Sequence, residues 1–241
     1  MQLIDIAYII VYSIIIYCSI LWFSVFFKNR KKMFYNPEPK KFPSITFLIP
    51  AHNEEKNIGK CLKSILSLDY PKNKLKVIVI DDGSTDKTAE IVKNFKEVKL
   101  IKQKQKGKAA ALNNGLKHVN TELVACMDAD SFPNKDFLIK MIGYMERKGV
   151  AAVTPAIKVL ETKTLMQKIQ WVEYLWCIFL RKLFHFFDCQ YVTPGPGSIY
   201  KTYILKKIGG FDEENLVEDT EIALRLVDRG YKIENSIDAY V

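Results

Sequence analysis

The chain has 241 residues, of which 49% are hydrophobic, 12% aromatic and 26% charged, so it can bury a core and is not a disordered segment. Its 36 basic and 27 acidic residues give a net charge of +9, which favours an anionic partner such as a membrane surface, a nucleic acid or a phosphorylated small molecule. Because the lysines are spread along the chain, a membrane-facing surface explains the charge equally well, and we expect no nucleic-acid partner.

The cysteines and histidines show no pattern that would predict a metal or disulfide framework. The five cysteines are widely separated and include no CxxC pair, which favours a reducing compartment without structural zinc. His52, His118 and His185 share no ligand spacing, and we interpret them as ordinary core or surface residues.

The first segment has the properties of a membrane anchor. Residues 6–27 form a run of 22 residues without a charged side chain, and at about 1.5 Å per residue this run spans roughly the thickness of the hydrocarbon core. A cleaved signal peptide would have a basic start and a shorter apolar run, and a buried core helix is rarely this long. We therefore assign residues 1–28 to a single-pass membrane anchor.

A basic, proline-containing tether follows at residues 29–43. Its first positions include Arg30, Lys31 and Lys32, directly after Lys28. The positive-inside rule then places the residues after the anchor in the cytoplasm.

Beyond Pro43, short apolar runs alternate with amphipathic stretches. Strands are predicted at residues 45–49, 77–80, 98–101, 123–127 and 232–237. The stretches between the first four runs carry apolar residues at helical spacing, and residues 135–148 and 222–229 are predicted helices as well. This βαβ repetition predicts an α/β domain over residues 44–241, with a mostly parallel sheet flanked by helices. In such sheets ligands bind beyond the carboxyl ends of the strands.

Two predicted strands end in paired carboxylates. Asp81 and Asp82 repel each other unless their oxygens are occupied, as by a ribose or a base N–H, although a turn with a helix cap is the simpler interpretation. Asp128 and Asp130 point to the same side if the backbone between them stays extended, and such a pair suits Mg²⁺ or Mn²⁺. Taken alone, this DxD is a weak indication, because Asp130 is equally suited to precede a helix.

Three further segments have less specific patterns. The glycine-containing segment 107–113 opens a helix but lacks the spacing of a Walker A loop, and segment 195–197 lacks the dinucleotide fingerprint. Acidic residues at 218–221 are favoured in the first turn of a helix by its dipole. Residues 164–187 are rich in aromatic residues, and both a core helix and an amphipathic helix on the inner membrane leaflet stay open for them.

Taken together, the ordered motifs PAHNE, DDGSTD, GKAAALNNG, DAD, GPGS and ED resemble the family 2 inverting glycosyltransferases of the GT-A fold. The likeness is greatest to the membrane-bound branch of cellulose, chitin, hyaluronan and poly-N-acetylglucosamine synthases, and it runs from about Ser44 to the last residue. It implies a Rossmann-like GT-A domain that transfers a sugar from a nucleoside-diphosphate sugar, with a UDP-sugar expected. It also favours the interfacial interpretation of residues 164–187.

The resemblance implies a role for each motif. The residues that it assigns to the nucleotide sugar are Pro50, Ala51, Asn53, Glu54, Asp81, Asp82, Lys108 and Asp128. The residues that it assigns to the acceptor side are Gly195, Gly197 and Ser198. Asp128 and Asp130 would bind Mg²⁺ or Mn²⁺, and Asp219 would be the general base, with Glu218 beside it in the catalytic pair.

The sequence also departs from the processive members of that branch. Those proteins continue to a Gln-x-x-Arg-Trp motif and further membrane helices, which are not found here, so we interpret residues 44–241 as a GT-A domain truncated at its carboxyl end, either a fragment or a short form. The expected partners are a nucleotide-sugar donor, a glycan or lipid-linked acceptor and membrane lipid. A polyprenyl-phosphate sugar synthase and a non-catalytic nucleotide-sugar-binding protein remain as alternatives.

Overall fold

The structure, a computed structural model, describes residues 3–215 and 217–241. Seven strands form one sheet in the order β3-β2-β1-β4-β6-β5-β7. The strands are β1 (Ile45–Ala51), β2 (Leu75–Asp82), β3 (Val98–Gln103), β4 (Leu123–Cys126), β5 (Val150–Ala156), β6 (Ile199–Lys201) and β7 (Lys232–Tyr240). The helices are α1 (Leu3–Asn29), α2 (Ile58–Leu66), α3 (Thr88–Lys93), α4 (Lys108–Leu116), α5 (Phe137–Ile142), α6 (Leu165–His185), α7 (Thr202–Lys207) and α8 (Glu218–Asp228).

The first half of the sheet is parallel. β1 pairs with β2 on one side and β4 on the other, and β2 pairs with β3, all in parallel. Because parallel strands end at the same edge, the residues after β1, β2 and β4 meet there. The predicted mostly parallel α/β architecture is confirmed.

The second half of the sheet contains the one strand that runs the other way. β6 pairs antiparallel with both β4 and β5, and β5 pairs in parallel with β7. The segment that leads into β6 therefore begins at the carboxyl end of β4. Neither β5 nor β6 was predicted from the sequence.

Both faces of the sheet are covered, as expected for strands that are apolar on both sides. α2, α3 and α5 pack on one face with Phe47 and Ile49, and α4, α7 and α8 pack on the other with Leu48 and Ile80. These two apolar layers fix the strand ends in place.

Several element boundaries differ from the prediction. The helix predicted at residues 135–148 is α5 followed by a 3₁₀ turn at Gly143–Glu146, and β4 ends at Cys126. The backbone after β4 does not stay extended: the Ser131 amide donates to the Asp128 carbonyl at 3.1 Å, which closes a turn around Ala129. The expectation of an extended Asp128–Asp130 segment was therefore wrong, because this local hydrogen bond outcompetes continued strand geometry.

α1 projects its apolar side chains away from the domain. The side chains from Ile4 to Leu21 are exposed, and Ile4–Lys32 is the only segment of the described residues that is long and apolar enough to cross a membrane. Its last turns touch the domain, where Trp22 contacts Phe184 edge-on at 5.0 Å.

The tether packs against the domain. The Asn36 amide donates to Asp238 at 2.6 Å, the Tyr144 hydroxyl donates to the Tyr35 carbonyl, and the Pro37 carbonyl lies against Gly143. These contacts fix the orientation of the domain relative to the end of α1.

We predict that Gly143→Ala destabilises the fold by about 1–3 kcal/mol, because a β-carbon at this position would collide with the Pro37 carbonyl. Thermal unfolding of the full chain in detergent measures the effect. Gly59→Ala is the matched control, since its β-carbon would meet only Ile91 at 3.4 Å and alanine favours the helix. Equal unfolding temperatures for the two variants would contradict the packing of the tether.

Candidate active site

A polar cavity of about 290 Å³ lies where β1, β2 and β4 end. It is lined by Pro50, Ala51, His52, Glu54, Asp82, Lys108, Asp128, Ala129 and Asp130. Six of the eight residues predicted to bind the nucleotide sugar are in this lining; the other two, Asn53 and Asp81, are not. A larger cavity of about 870 Å³ lies at the opposite edge of the sheet, away from these carboxylates.

Asn53 and Asp81 instead hold the loops that surround the cavity. Asn53 adopts a left-handed conformation (φ 56°) and its side-chain oxygen accepts from the Thr85 amide at 2.8 Å. Asp81 accepts from the Ser84 amide at 2.9 Å, closing the turn after β2. Both contacts connect the DDGSTD loop to the strand ends. The cavity is lined by the residues next to Asn53 and Asp81, and not by these two residues themselves.

Asp82 connects the cavity to the start of α4. It is buried and accepts hydrogen bonds from the Gln103 side chain (2.8 Å), the Lys106 amide (2.9 Å) and the Gly107 amide (2.8 Å). Groups of the chain itself therefore occupy most of the Asp82 lone pairs that were expected to accept from a ribose or a base. A carboxylate has about four lone-pair sites, so roughly one remains.

Lys108 joins three segments that are distant in sequence. Its ammonium lies 2.8 Å from Asp128 Oδ1 and 3.3 Å from Glu218 Oε1, and a β-carbon on Gly195 would lie 2.5 Å from it. Burial alone would lower the pKa of Lys108, but the Asp128 and then the Glu218 carboxylates outweigh it and raise the pKa. The amine is thus a fixed cation among acidic groups, with Gly195 providing the space for it.

The residues predicted to line the acceptor side divide into two groups. Gly195 adjoins the Lys108 ammonium, whereas Gly197 and Ser198 are buried behind it. Gly197 has φ 89° and a β-carbon there would lie 2.8 Å from Val241, so only glycine fits. The Ser198 hydroxyl donates to the Pro194 carbonyl at 2.6 Å.

Asp219 and Glu218 start α8, but their side chains have different partners. Glu218 is paired with Lys108, whereas the described contact of the Asp219 carboxylate is a long one of 3.4 Å from the Thr220 hydroxyl. Thr193 fixes the Asp219 backbone, because both its amide (3.0 Å) and its hydroxyl (2.9 Å) donate to the Asp219 carbonyl. The half-buried Asp219 carboxylate is therefore positioned while its oxygens stay accessible.

Arg181 of α6 is a buried cation in the same neighbourhood. Only 5% of it is exposed, and its Nε has no hydrogen-bond partner among the described residues. Burial lowers the pKa of Arg181, an effect that Tyr191, Cys177 and Asp219 oppose.

The charges of Asp128 and Asp130 both reach the Cys61 thiol, so the two carboxylates lie in the same part of the site. Burial and then the charges of Asp130 and Asp128 raise the pKa of the Cys61 thiol to about 12. Asp130 is exposed with only a 3.3 Å contact from Ser131, and Asp128 keeps its second carboxylate oxygen without a partner in the described parts of the chain.

This donor set fits a divalent cation of the Mg²⁺ or Mn²⁺ type, which takes one or two carboxylates and completes its shell with water and phosphate oxygens. Residues 3–215 and 217–241 contain no group of three or more His, Cys, Asp or Glu side chains that could hold a metal without such additional ligands.

Sequence reasoning missed several of the supporting residues. His52, interpreted as ordinary, lines the cavity, and its ring bonds the Asp82 carbonyl at 2.8 Å. Gln103 contacts Asp82, and Thr193 and Arg181 lie near Asp219. These residues are distant from their partners in the chain, and a single sequence does not indicate such contacts.

Residues 46–209 match the family described as Glycosyl transferase family 2. The chain belongs to this family. This membership agrees with the resemblance in the ordered motifs.

Curated relatives are similar over most of the chain. A probable glycosyltransferase of Bacillus subtilis, YdaM, is 34% identical over 205 residues, which cover 80% of this chain and 49% of that protein. The poly-beta-1,6-N-acetyl-D-glucosamine synthase of Staphylococcus epidermidis is 30% identical over 235 residues, covering 91% of this chain and 56% of the synthase. The chain thus spans about half the length of these curated relatives.

Solved structures show the same fold. The mannosyltransferase PcManGT of Pyrobaculum calidifontis, in complex with GDP-Man and Mn²⁺, superposes with a TM-score of 0.72 at 24% identity and covers 95% of this chain and 67% of its own. S. aureus TarS in complex with UDP-GlcNAc gives a TM-score of 0.61 at 22% identity, over 82% of this chain and 58% of that chain. The GT-A fold is confirmed.

We predict that Asp82→Asn opens the loop before α4, because one amide oxygen cannot replace both carboxylate oxygens and the Lys106 or Gly107 N–H loses its acceptor. Hydrogen exchange at these two amides should accelerate about 5–50-fold, which corresponds to roughly 1–2.3 kcal/mol. Asp81→Asn is the control, since the Asp81 carboxylate contacts Ser84 and, at 4.0 Å, Lys102, but neither of these two amides. Equal acceleration in both variants would contradict this role of Asp82.

Proposed function

We propose that this chain is the catalytic part of a membrane-anchored inverting glycosyltransferase. It transfers a sugar from a nucleoside-diphosphate sugar, most directly a UDP-sugar, to a hydroxyl group of a glycan acceptor, with Asp219 as the general base. The observation that carries the proposal is the pair of contacts from Lys108 to Asp128 and Glu218, which links the DAD and ED motifs at one cavity.

The geometry favours Asp219 over Glu218 as the base. A general base needs an accessible carboxylate, and Glu218 is occupied by the Lys108 ammonium at 3.3 Å. Asp219 has no such ion pair among the described residues, and Thr193 holds its backbone. We therefore assign proton transfer to Asp219, and to Glu218 the positioning of Lys108.

The reaction that follows is a single displacement. The acceptor oxygen forms a bond to the anomeric carbon while the bond from that carbon to the diphosphate oxygen breaks, and the diphosphate leaves with the electron pair. The proton of the acceptor hydroxyl passes to Asp219. In-line attack inverts the anomeric centre, so no nucleophile of the protein is needed.

The leaving diphosphate needs compensating positive charge. Asp128 and Asp130 are the residues that would hold Mg²⁺ or Mn²⁺, which supplies Lewis-acid stabilisation of the diphosphate when bound. The Mn²⁺ in the mannosyltransferase complex supports this assignment. Lys108 lines the same cavity, but its charge is shared between Asp128 and Glu218.

Membrane placement follows from two surfaces. α1 has the length and composition of a membrane span, and the first half of α6 exposes apolar side chains. These are Leu165, Met166, Ile169, Trp171, Val172, Leu175 and Trp176. Because α6 contacts the end of α1 through Trp22 and Phe184, we place α6 on the inner leaflet and the domain in the cytoplasm.

The apolar surface of α6 supports a second class of acceptor. The apolar face of α6 and the buried Arg181 near Asp219 would suit a polyprenyl phosphate, whereas the synthase relative supports a glycan. The nature of the labelled product distinguishes these two acceptors.

We predict that Asp219→Asn lowers turnover by about 10²–10⁴-fold and leaves UDP affinity within a factor of two or so, because only proton transfer is lost. The assay is label transfer from a UDP-sugar panel by the full-length protein in membranes, with UDP binding measured by calorimetry. Thr220→Ala is the control, since it removes only the 3.4 Å contact to Asp219.

Equal losses in binding and turnover would contradict the role of Asp219. Label in a water-soluble chain supports the glycan acceptor, and label in an organic-phase monosaccharide lipid supports the polyprenyl phosphate. Nucleotide binding without any transfer to either phase would support the non-catalytic alternative.

We further predict that Asp130→Ala abolishes the increase in UDP affinity on adding Mn²⁺, a loss of about tenfold or more, since an oxygen ligand is removed. Calorimetry with and without the metal measures it. Ser131→Ala, which removes only a 3.3 Å contact to Asp130, should bind as the wild type does. An unchanged metal effect in Asp130→Ala would refute the metal assignment.

A further inference from the structure

A second polar cavity, of about 530 Å³, lies at the carboxyl end of α1. It is lined in part by β7, which is the edge strand opposite β3. We call it the anchor cavity, and its charged lining consists of Lys31, Lys32, Arg147, Lys182, Asp188 and Glu234. It shares no residue with the cavity at the strand ends, and the transfer reaction does not use it.

The anchor cavity carries an excess of positive charge. Its two carboxylates already have partners, because Glu234 pairs with Arg147 at 2.9 Å and Asp188 pairs with Lys232 at 2.7 Å. Lys31 and Lys32, which are exposed, have no ion pair with any residue in the described ranges. The cations thus outnumber the anions available to them.

Lys182 is the most costly of these cations to bury. It is 1% exposed, and its ammonium donates only to the Asn235 carbonyl at 2.5 Å within the described structure. Burial lowers the pKa of Lys182 to about 8, although Glu234 opposes the shift, so the amine is still charged at neutral pH. The Tyr144 and Phe186 rings lie 5.7 Å from this ammonium, but the nearby Glu234 carboxylate is already paired with Arg147, so an anion in the cavity would lower the cost of burying the Lys182 charge.

The anchor cavity lies beside the end of the apolar helix α1, and this position favours an anion that also carries an apolar part. Asn29, the last residue of α1, is part of the lining, so the cavity begins where the apolar helix ends. Phe34 and Phe187, which neighbour lining residues in the chain, and Phe27, two residues before Asn29, are exposed aromatic side chains of the kind found at headgroup level. A ligand with a charged head and an apolar tail can contact both surfaces, whereas a free anion contacts only one.

We propose that the anchor cavity binds the phosphate group of one anionic phospholipid, with the acyl chains beside the last turns of α1. Lys31, Lys32 and Lys182 supply the charge and Arg147 the fork of donors that suits phosphate oxygens. The proposal rests on the membrane placement of α1 given above. It adds a specific lipid contact that fixes the height of the catalytic domain over the leaflet.

Native mass spectrometry of the full-length protein, titrated in detergent with dioctanoyl phosphatidylglycerol or dioctanoyl phosphatidylcholine, tests the site. We expect one phosphatidylglycerol to be retained at least tenfold more tightly than phosphatidylcholine. Lys31→Gln with Lys32→Gln should weaken it about 30-fold, because each basic residue near a membrane surface contributes about 1 kcal/mol and the pair therefore about 2 kcal/mol. Lys182→Met should weaken phosphatidylglycerol binding too. If that variant does not fold, the variant of the exposed residues Lys31 and Lys32 still tests the site.

Lys93→Gln with Lys96→Gln is the matched control, since these exposed lysines carry the same charge at the β3 end of the sheet. Equal weakening by the control pair, or equal retention of both lipids, overturns the site. Glycerol 3-phosphate provides the soluble arm: if it competes as well as the lipid does, the lipid assignment is overturned in favour of a free phosphate.

Flotation of alkali-washed membranes separates this proposal from the proposed function. Wild type and all variants should float, because α1 alone supplies the insertion energy. Protein that fails to float refutes the membrane placement itself. Protein that floats but shows unchanged phosphatidylglycerol affinity in the Lys31 and Lys32 variant refutes only the headgroup site.

Discussion

The candidate site depends on one cation. The Lys108 ammonium holds Asp128, at the end of β4, and Glu218, at the start of α8, within hydrogen-bonding distance of one nitrogen. Without that charge these two carboxylates, which come from distant segments, would repel each other beside a cavity of about 290 Å³. Lys108 in turn is placed by Asp82, which accepts from the two amides that precede α4. A chain of charge-assisted hydrogen bonds thus connects the parallel strands to the last helix.

The reversal of β6 is what makes these contacts possible. In a sheet that was parallel throughout, the segment before a strand would lie at the edge opposite the site. Because β6 runs antiparallel to β4, the segment before it starts beside Asp128 and places Gly195 against Lys108. The same segment carries Thr193, which holds Asp219 by its backbone carbonyl. The direction of one three-residue strand therefore positions both the proposed acceptor side and the backbone of the candidate base.

The parts of this arrangement that the sequence predicts are those encoded locally. Short apolar runs predicted β1, β2 and β4, carboxylates at the ends of the last two marked the site, and the ordered motifs indicated the family. The turn at Asp128–Asp130 was missed because it depends on one amide, that of Ser131. β6 was missed because three residues show no periodicity, and pairing with distant strands decides its conformation. The contact of Lys108 with Glu218 spans more than a hundred residues, and no spacing rule connects such positions.

The charges at the strand ends also constrain what can bind there. Asp82, Asp128, Asp130, Glu218 and Asp219 are acidic, and Lys108 is the lysine that lines the cavity. A nucleoside diphosphate is itself an anion, so its entry beside these groups would be repulsive although the chain as a whole carries +9. The Lys108 charge is already shared between Asp128 and Glu218. The proposed binding of a diphosphate would therefore require a further cation, and the carboxylate oxygens without partners on Asp128 and Asp130 are where the described structure leaves room for it.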